Sequence, residues 1–364
     1  MSESHPPHRQ SFFRVQTPGD GRVIRNAILV TLVGGLGIGS LAYQRQWFVP
    51  RPKAAAPSAS ASAAPPPAAR VPRREPLELT EVERAKGFWE CILPDPGAGM
   101  YAPLRQITMG SISIPATGGH TDDFGYDVIM HFHGYPSAKK VLATTARGVV
   151  LAGFDLGNGS GPYADQLGPP QVFARLKDAI ASALRAHSGD PRAHIRHLAI
   201  SAWSAGYGAI NSILKSADDG IDAVILLDGL HTGFVNGKKH DDDPASVEPA
   251  PIFPVVRYAE RALRGEKIFY FSHSHVETDN YVSTTRVAGM LVARLGVTPI
   301  AAAPTDDPLG LVSYVDDKGF HLRDARGANE KAHCDQLRNL TEVVRDILEP
   351  AWDTPKGFAA ERAR

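Results

Sequence analysis

The 364-residue chain balances 39 lysines and arginines against 39 aspartates and glutamates, so its formal charge is zero. That balance leaves no whole-protein electrostatic case for nucleic acid as a partner. A hydrophobic content of 43% suits a packed core, and two cysteines without a Cys-x-x-Cys pair exclude both a structural zinc module and a disulfide-dense scaffold.

In chain order, residues 1–25 read as a short N-terminal tail. Residues 26–43 carry no charged side chain and include Ala27-Ile28-Leu29-Val30-Thr31-Leu32-Val33. As a helix this run would extend about 27 Å, enough to cross a bilayer core. Trp47 and Phe48 follow where an interfacial aromatic belt would lie. A signal peptide cleaved after Ala42 competes with an uncleaved transmembrane anchor, and the long leading segment favours the anchor. Both readings export the rest of the chain. The expectation is a membrane-anchored protein with its folded domain outside the cytoplasm, periplasmic or extracellular, or a secreted one if cleaved. Residues 44–76, from Pro50 onward almost wholly Ala, Pro, Ser and Arg, can bury no core and read as a disordered linker. Residues 77–350 read as one folded domain and residues 351–364 as a C-terminal tail.

Within the domain, residues 77–89 predict a helix, with Thr80 as cap and Glu83 three positions on. Alternation over 106–114 predicts a half-exposed strand. A stronger strand over 126–132 ends in His133-Gly134-Tyr135-Pro136, and 149–154 is the continuous apolar run of a buried parallel strand. A glycine-rich loop over 155–170, a helix over 172–186 and a strand over 198–200 follow. The turn Ser201-Ala202-Trp203-Ser204-Ala205-Gly206 then leads into a helix-like stretch with Ala209, Ile210, Ile213 and Leu214. Strands at 223–227 and 267–271 come next, separated by a loop rich in Asp and Pro over 231–254. A helix over 284–295, a last strand at 312–315 or 320–322 and a helix over 332–348 complete the pattern. Strands alternate with helices, so the class is α/β, a mostly parallel central sheet with helices on both faces.

Strand, sharp turn with a serine at its tip, then helix is the context of a nucleophile elbow. Ala202 and Gly206 occupy its two small positions, giving A-x-S-x-G. In open α/β sheets, sites form beyond the carboxyl ends of the strands. His133, Asp155, His231, His273 and His275 fall there and are expected to line a cleft. A serine hydroxyl needs a neighbouring base, and the imidazole needs a carboxylate to fix its tautomer. His333, entering the last helix, is the leading base; its rival, His321, would lie within a strand. Asp228 is the preferred acid because it abuts a buried apolar run, with Glu277 and Asp279 as alternatives after the next strand.

His133-Gly134 after an early strand, the Ala-Trp-Ser-Ala-Gly elbow, Asp228 at a strand end and His333 late in the chain resemble the α/β-hydrolase superfamily over about residues 105–350. The resemblance implies a triad of Ser204, Asp228 and His333. It implies an oxyanion hole from the N–H groups of Tyr135 and Ala205, with Gly134 letting the loop turn sharply. The implied activity is a serine hydrolase cleaving a small-molecule carboxylic ester or amide through an acyl-enzyme, with no cofactor. The alternative is a non-catalytic envelope module that binds a ligand on the same fold. Two His-x-His pairs, His131/His133 and His273/His275, would each face one zinc from a strand. The acidic run Asp241, Asp242, Asp243 would suit calcium. No third ligand is tied to the histidines by local spacing, so no metal is expected. In an exported chain Cys91 and Cys334 have only each other to pair with, and a bridge would pin the start of the domain to the helix carrying His333. Two separately buried thiols are the alternative.

Overall fold

The computed structural model describes residue 91 and residues 93–235, 243–303 and 309–360. The N-terminal tail, the 26–43 span, the linker and the 77–89 helix lie outside the described residues, as do Asp241 and Asp242. Among the described residues no helix is long and apolar enough to cross a membrane.

The strands are β1 (Arg105–Ile107), β2 (Gly110–Ser113), β3 (Thr117–Gly118), β4 (Gly125–Phe132), β5 (Val150–Phe154), β6 (His194–Trp203), β7 (Ala223–Leu227), β8 (Ile268–His273), β9 (Ile300–Ala301), β10 (Leu311–Asp317), β11 (Phe320–Ala325) and β12 (Gly357–Phe358). One large sheet runs β1-β2-β5-β4-β6-β7-β8-β11-β10-β9. Its centre, from β5 to β11, is parallel, and antiparallel strands flank it on both sides. All eight residues of β4 are buried. Side chains alternate across a strand, so Val128 and Met130 enter one core and Ile129 the other. Helices cover both faces, which is why the central strands read as continuous apolar runs.

The first core is filled by α2 (Ser160–Leu167), α3 (Pro170–Ser188), α4 (Tyr207–Ile213), α5 (Phe253–Leu263) and α6 (Thr284–Leu295), and the second by α1 (Tyr135–Thr145) and the C-terminal segment. The longest of these, α3, shows the logic. Phe173, Leu176, Ile180 and Leu184 recur at helical spacing and are all buried, while Gly189 ends the helix in the left-handed region. Each such side chain gains about 2 kcal/mol on leaving water.

Four expectations change. The 106–114 strand is a hairpin of β1 and β2, turned at Met109 with φ 62°; alternation carried across the turn and concealed it. The 155–170 loop contains α2, anchored by buried Tyr163 and Leu167 one turn apart. The 231–254 loop gives way to α5, and Pro254 sits in that helix's first turn, where its missing N–H costs nothing. Both candidates for the last strand form, as the hairpin of β10 and β11, with β11 inside, parallel to β8.

The last helix is broken into regular pieces, α7 (Glu330–Asp335), Leu340–Glu342 and Glu349–Trp352, joined by a tighter turn at Gln336–Asn339 and a wider one at Val343–Leu348. A buried polar network fixes this irregular segment. The Arg323 guanidinium donates to Glu342 at 2.6 and 2.9 Å, and the Tyr270 hydroxyl lies 3.1 Å from the same carboxylate. Asn339 donates to the Ser272 hydroxyl at 3.1 Å, joining the helix to β8. Residues 351–360, read as a tail, pack onto the domain: β12 pairs with β3, and Arg196 donates to the Trp352 carbonyl.

Cys91 and Cys334 form a disulfide with their Cα atoms 5.0 Å apart, across 243 residues of sequence. Loop-closure entropy for so long a ring gives an upper figure of about 5 kcal/mol. Cys334→Ser is therefore expected to lower the denaturant midpoint of the full chain clearly, with reduction of the wild type producing the same shift. Equal midpoints for the oxidised wild type and the variant would show that the bridge contributes nothing to stability.

Candidate active site

The elbow is built by close approach. Ser204 follows β6 directly and takes φ 48°, a left-handed conformation that is strained for a serine. Gly206, two residues on, lies against the end of β4; a Cβ there would stand 2.0 Å from the Phe132 carbonyl oxygen. On the other side Ala202 is fully buried beside Phe132 in register, so its methyl is accommodated. From the next strand, Gly229 presses on the elbow itself, where a Cβ would lie 2.3 Å from the Ser204 carbonyl oxygen. The residue before it, Asp228, is thereby held next to the serine's backbone.

Asp228 is 2% exposed and collects four donors. His333 Nδ1 donates at 2.7 Å, the Ser274 N–H at 3.0 Å, the Ser274 hydroxyl at 2.5 Å and the Thr284 hydroxyl at 2.5 Å. Burial alone would raise this carboxyl; the His333 hydrogen bond and charge, with Ser274 and Thr284, outweigh it and hold the group well below the ordinary carboxylate range. Asp228 is itself at φ 46°.

His333 sits in the first turn of α7, which Asn329 caps by accepting the Ala332 N–H at 3.0 Å. Its carbonyl accepts the Trp203 indole N–H at 3.0 Å, and its ring lies 4.8 Å from the indole. The residue before the serine is thus clasped to the histidine. His133, at φ 69°, also stacks on Trp203, at 4.9 Å, and meets the Tyr163 hydroxyl at 2.9 Å. Burial lowers the pKa of His133. His231 packs edge-on against Tyr207 and Tyr281 and bonds the Val282 carbonyl, and burial lowers it to about 4, so it is neutral near pH 7.

The expected oxyanion loop is held by a carboxylate. Asp155, expected to line the cleft, accepts the Gly134 N–H at 2.7 Å, so Gly134 is committed as a donor. The Tyr135 N–H donates to the same oxygen at 3.4 Å. Tyr135 and Ala205 are the donors expected from the sequence, and Asp155 fixes the loop that carries Tyr135.

Glu277 and Asp279 are exposed, and Glu277 pairs with Arg286 at 3.3 Å. His321 lies in β11 and bonds Asp316 at 2.7 Å. His131 is fully buried, meets the Ser201 hydroxyl at 3.0 Å and is lowered to about 3 by burial. His273 and His275 group instead with Asp324 from β11. Sequence reading missed Ser274, Thr284, Tyr163 and Asp324. Only Ser274 had a local signal, its place between two histidines just after a strand.

No family model and no curated protein sequence matches the chain. Among solved structures, the enterochelin esterase from Shigella flexneri is 12% identical over 72% of this chain and 61% of that one, with a TM-score of 0.41. The ferric enterobactin esterase from Salmonella typhimurium is 12% identical over 67% and 56%, at 0.41. The BES protein from Bacillus cereus is 12% identical over 65% and 89%, at 0.39. The chain spans less than two thirds of the length of the first two. In its own strand order, its serine at positive φ between a parallel strand and a helix, and its sequence order of serine, aspartate and histidine, the chain resembles the α/β-hydrolase superfamily.

Proposed function

We propose that the chain is a serine hydrolase that cleaves a carboxylic ester through an acyl-enzyme, with Ser204 as nucleophile, His333 as base and Asp228 as the carboxylate that orients it. The observation that carries this reading is the 2.7 Å hydrogen bond from His333 Nδ1 to Asp228, made beside a serine whose backbone is turned to positive φ. With Nδ1 donating, Nε2 is the nitrogen left to take the serine proton. Ser204 Oγ attacks the acyl carbon as its proton passes to His333. The carbonyl oxygen becomes an oxyanion that the N–H groups of Tyr135 and Ala205 receive. Collapse expels the alcohol, which takes the proton back from His333, and leaves the acyl group on Ser204. Water then attacks the acyl carbon as its proton passes to the same imidazole, and collapse breaks the bond to Ser204 Oγ, which takes that proton back as the acid leaves.

The surrounding rings of His133, Trp203, Tyr207, His231 and Tyr281 favour an uncharged, apolar or aromatic ester. The disulfide supports export, because such bonds persist in oxidising compartments. An anchor at residues 26–43 belongs to the same proposal. A fluorophosphonate probe, followed by peptide mass analysis, is expected to modify Ser204 alone. Folded protein that stays unmodified, or modification at another serine, would overturn the reading.

A further inference from the structure

Behind the acid lies a second cluster, made of residues that the proposed hydrolysis does not use. His273 ends β8 and His275 follows two residues later, while Asp324 stands on β11 directly opposite His273 in the parallel register. One ligand atom from each of the three lies within 4.8 Å of the other two. His275 Nε2 is 2.6 Å from Asp324 Oδ1, and His273 Nδ1 is 3.9 Å from the same oxygen. Donors around one tetrahedral zinc stand about 3.4 Å apart, as zinc–nitrogen and zinc–oxygen lengths near 2.1 Å require. The three groups therefore need only small side-chain adjustments to share an ion.

The supports are already built. Asp324 Oδ2 accepts the Ser313 hydroxyl at 3.1 Å, which orients the carboxylate, and the His275 backbone N–H donates to the Gly327 carbonyl at 2.8 Å, which holds the chain there. The two imidazoles are nearly parallel, 11° apart, with centroids 6.1 Å from each other. The His273 side chain is 5% exposed and that of His275 43%, so one ligand is preorganised in the core and the other opens to solvent. Two imidazoles with one carboxylate suit zinc and its neighbours in the d-block, whereas magnesium and calcium prefer oxygen alone.

We propose that His273, His275 and Asp324 form a binding site for one zinc-class divalent cation, which clamps the end of β8 to β11. Its place in the fold gives it a consequence. Ser274, between the two histidines, supplies two of the hydrogen bonds to Asp228, so an ion held there steadies the acid without touching the serine. The site does not rest on the serine-hydrolase reading.

The untagged full chain, stripped with a chelator and dialysed, is to be titrated with zinc chloride by calorimetry. The expected result is one zinc per chain, with affinity at least tenfold weaker in both His275→Ala and Asp324→Asn. His275 is half-exposed, so its alanine variant tests the site without emptying the core. His321→Ala, which breaks a two-residue histidine–aspartate pair elsewhere on β11, is expected to bind zinc unchanged. No heat beyond dilution in the stripped wild type, or the same affinity in both ligand variants, would overturn the site. Calorimetry reads binding alone, so a chain that fails to react at Ser204 can still pass this test.

Discussion

Asp228→Asn is expected to lower kcat for a short p-nitrophenyl ester by about 10⁴-fold, with KM little changed. The substitution keeps the shape of the side chain and, with its oxygen in the Oδ1 place, still accepts from the Ser274 N–H and the Thr284 hydroxyl. What changes is the face toward His333. An amide can present N–H where a carboxylate oxygen received Nδ1–H, and the imidazole then turns its other tautomer toward the serine. The charge that stabilises the imidazolium during attack is lost as well. Near-normal turnover in this variant, combined with loss in Glu277→Gln, would transfer the role to Glu277.

Ser204→Ala and His333→Ala should each reduce kcat by about 10⁶-fold, and the double variant should be no slower than either alone. The reason is that the nucleophile and its base act as one unit; once either is gone, the other has no proton to give or take. Steady-state assays on the two single variants and the double variant measure this directly. Additive losses would mean that the two residues act independently, and the acyl-enzyme scheme would fail.

The local settings of Ser204, Asp228 and His333 were legible in the sequence, as an elbow, the end of an apolar run and the entry to a helix. The hydrogen bond between Asp228 and His333 was not. Gly229 pressing on the Ser204 backbone, and Trp203 bonding to the His333 carbonyl 130 residues away, are products of sheet order. The same holds for Asp324, which becomes the third member of a histidine cluster only because β11 lies beside β8. Parallel strands announced themselves by runs such as Val150–Phe154, buried on both faces. Helices α2 and α5 went unread because Gly161, Pro162 and Pro254 look like loop residues, yet each lies at a helix N-terminus, where such residues are tolerated. The commitment of the Gly134 N–H to Asp155 also lay beyond the sequence, since it joins two strand ends 21 residues apart.

The bond between Cys91 and Cys334 turns the stretch between them into a covalent ring, and that ring contains Ser204, Asp228 and, one residue inside its closure, His333. A protease that cuts the backbone once between the two cysteines opens the ring but releases nothing. The two pieces remain one molecule until the sulfurs are reduced, so a single nick cannot detach the serine from its histidine.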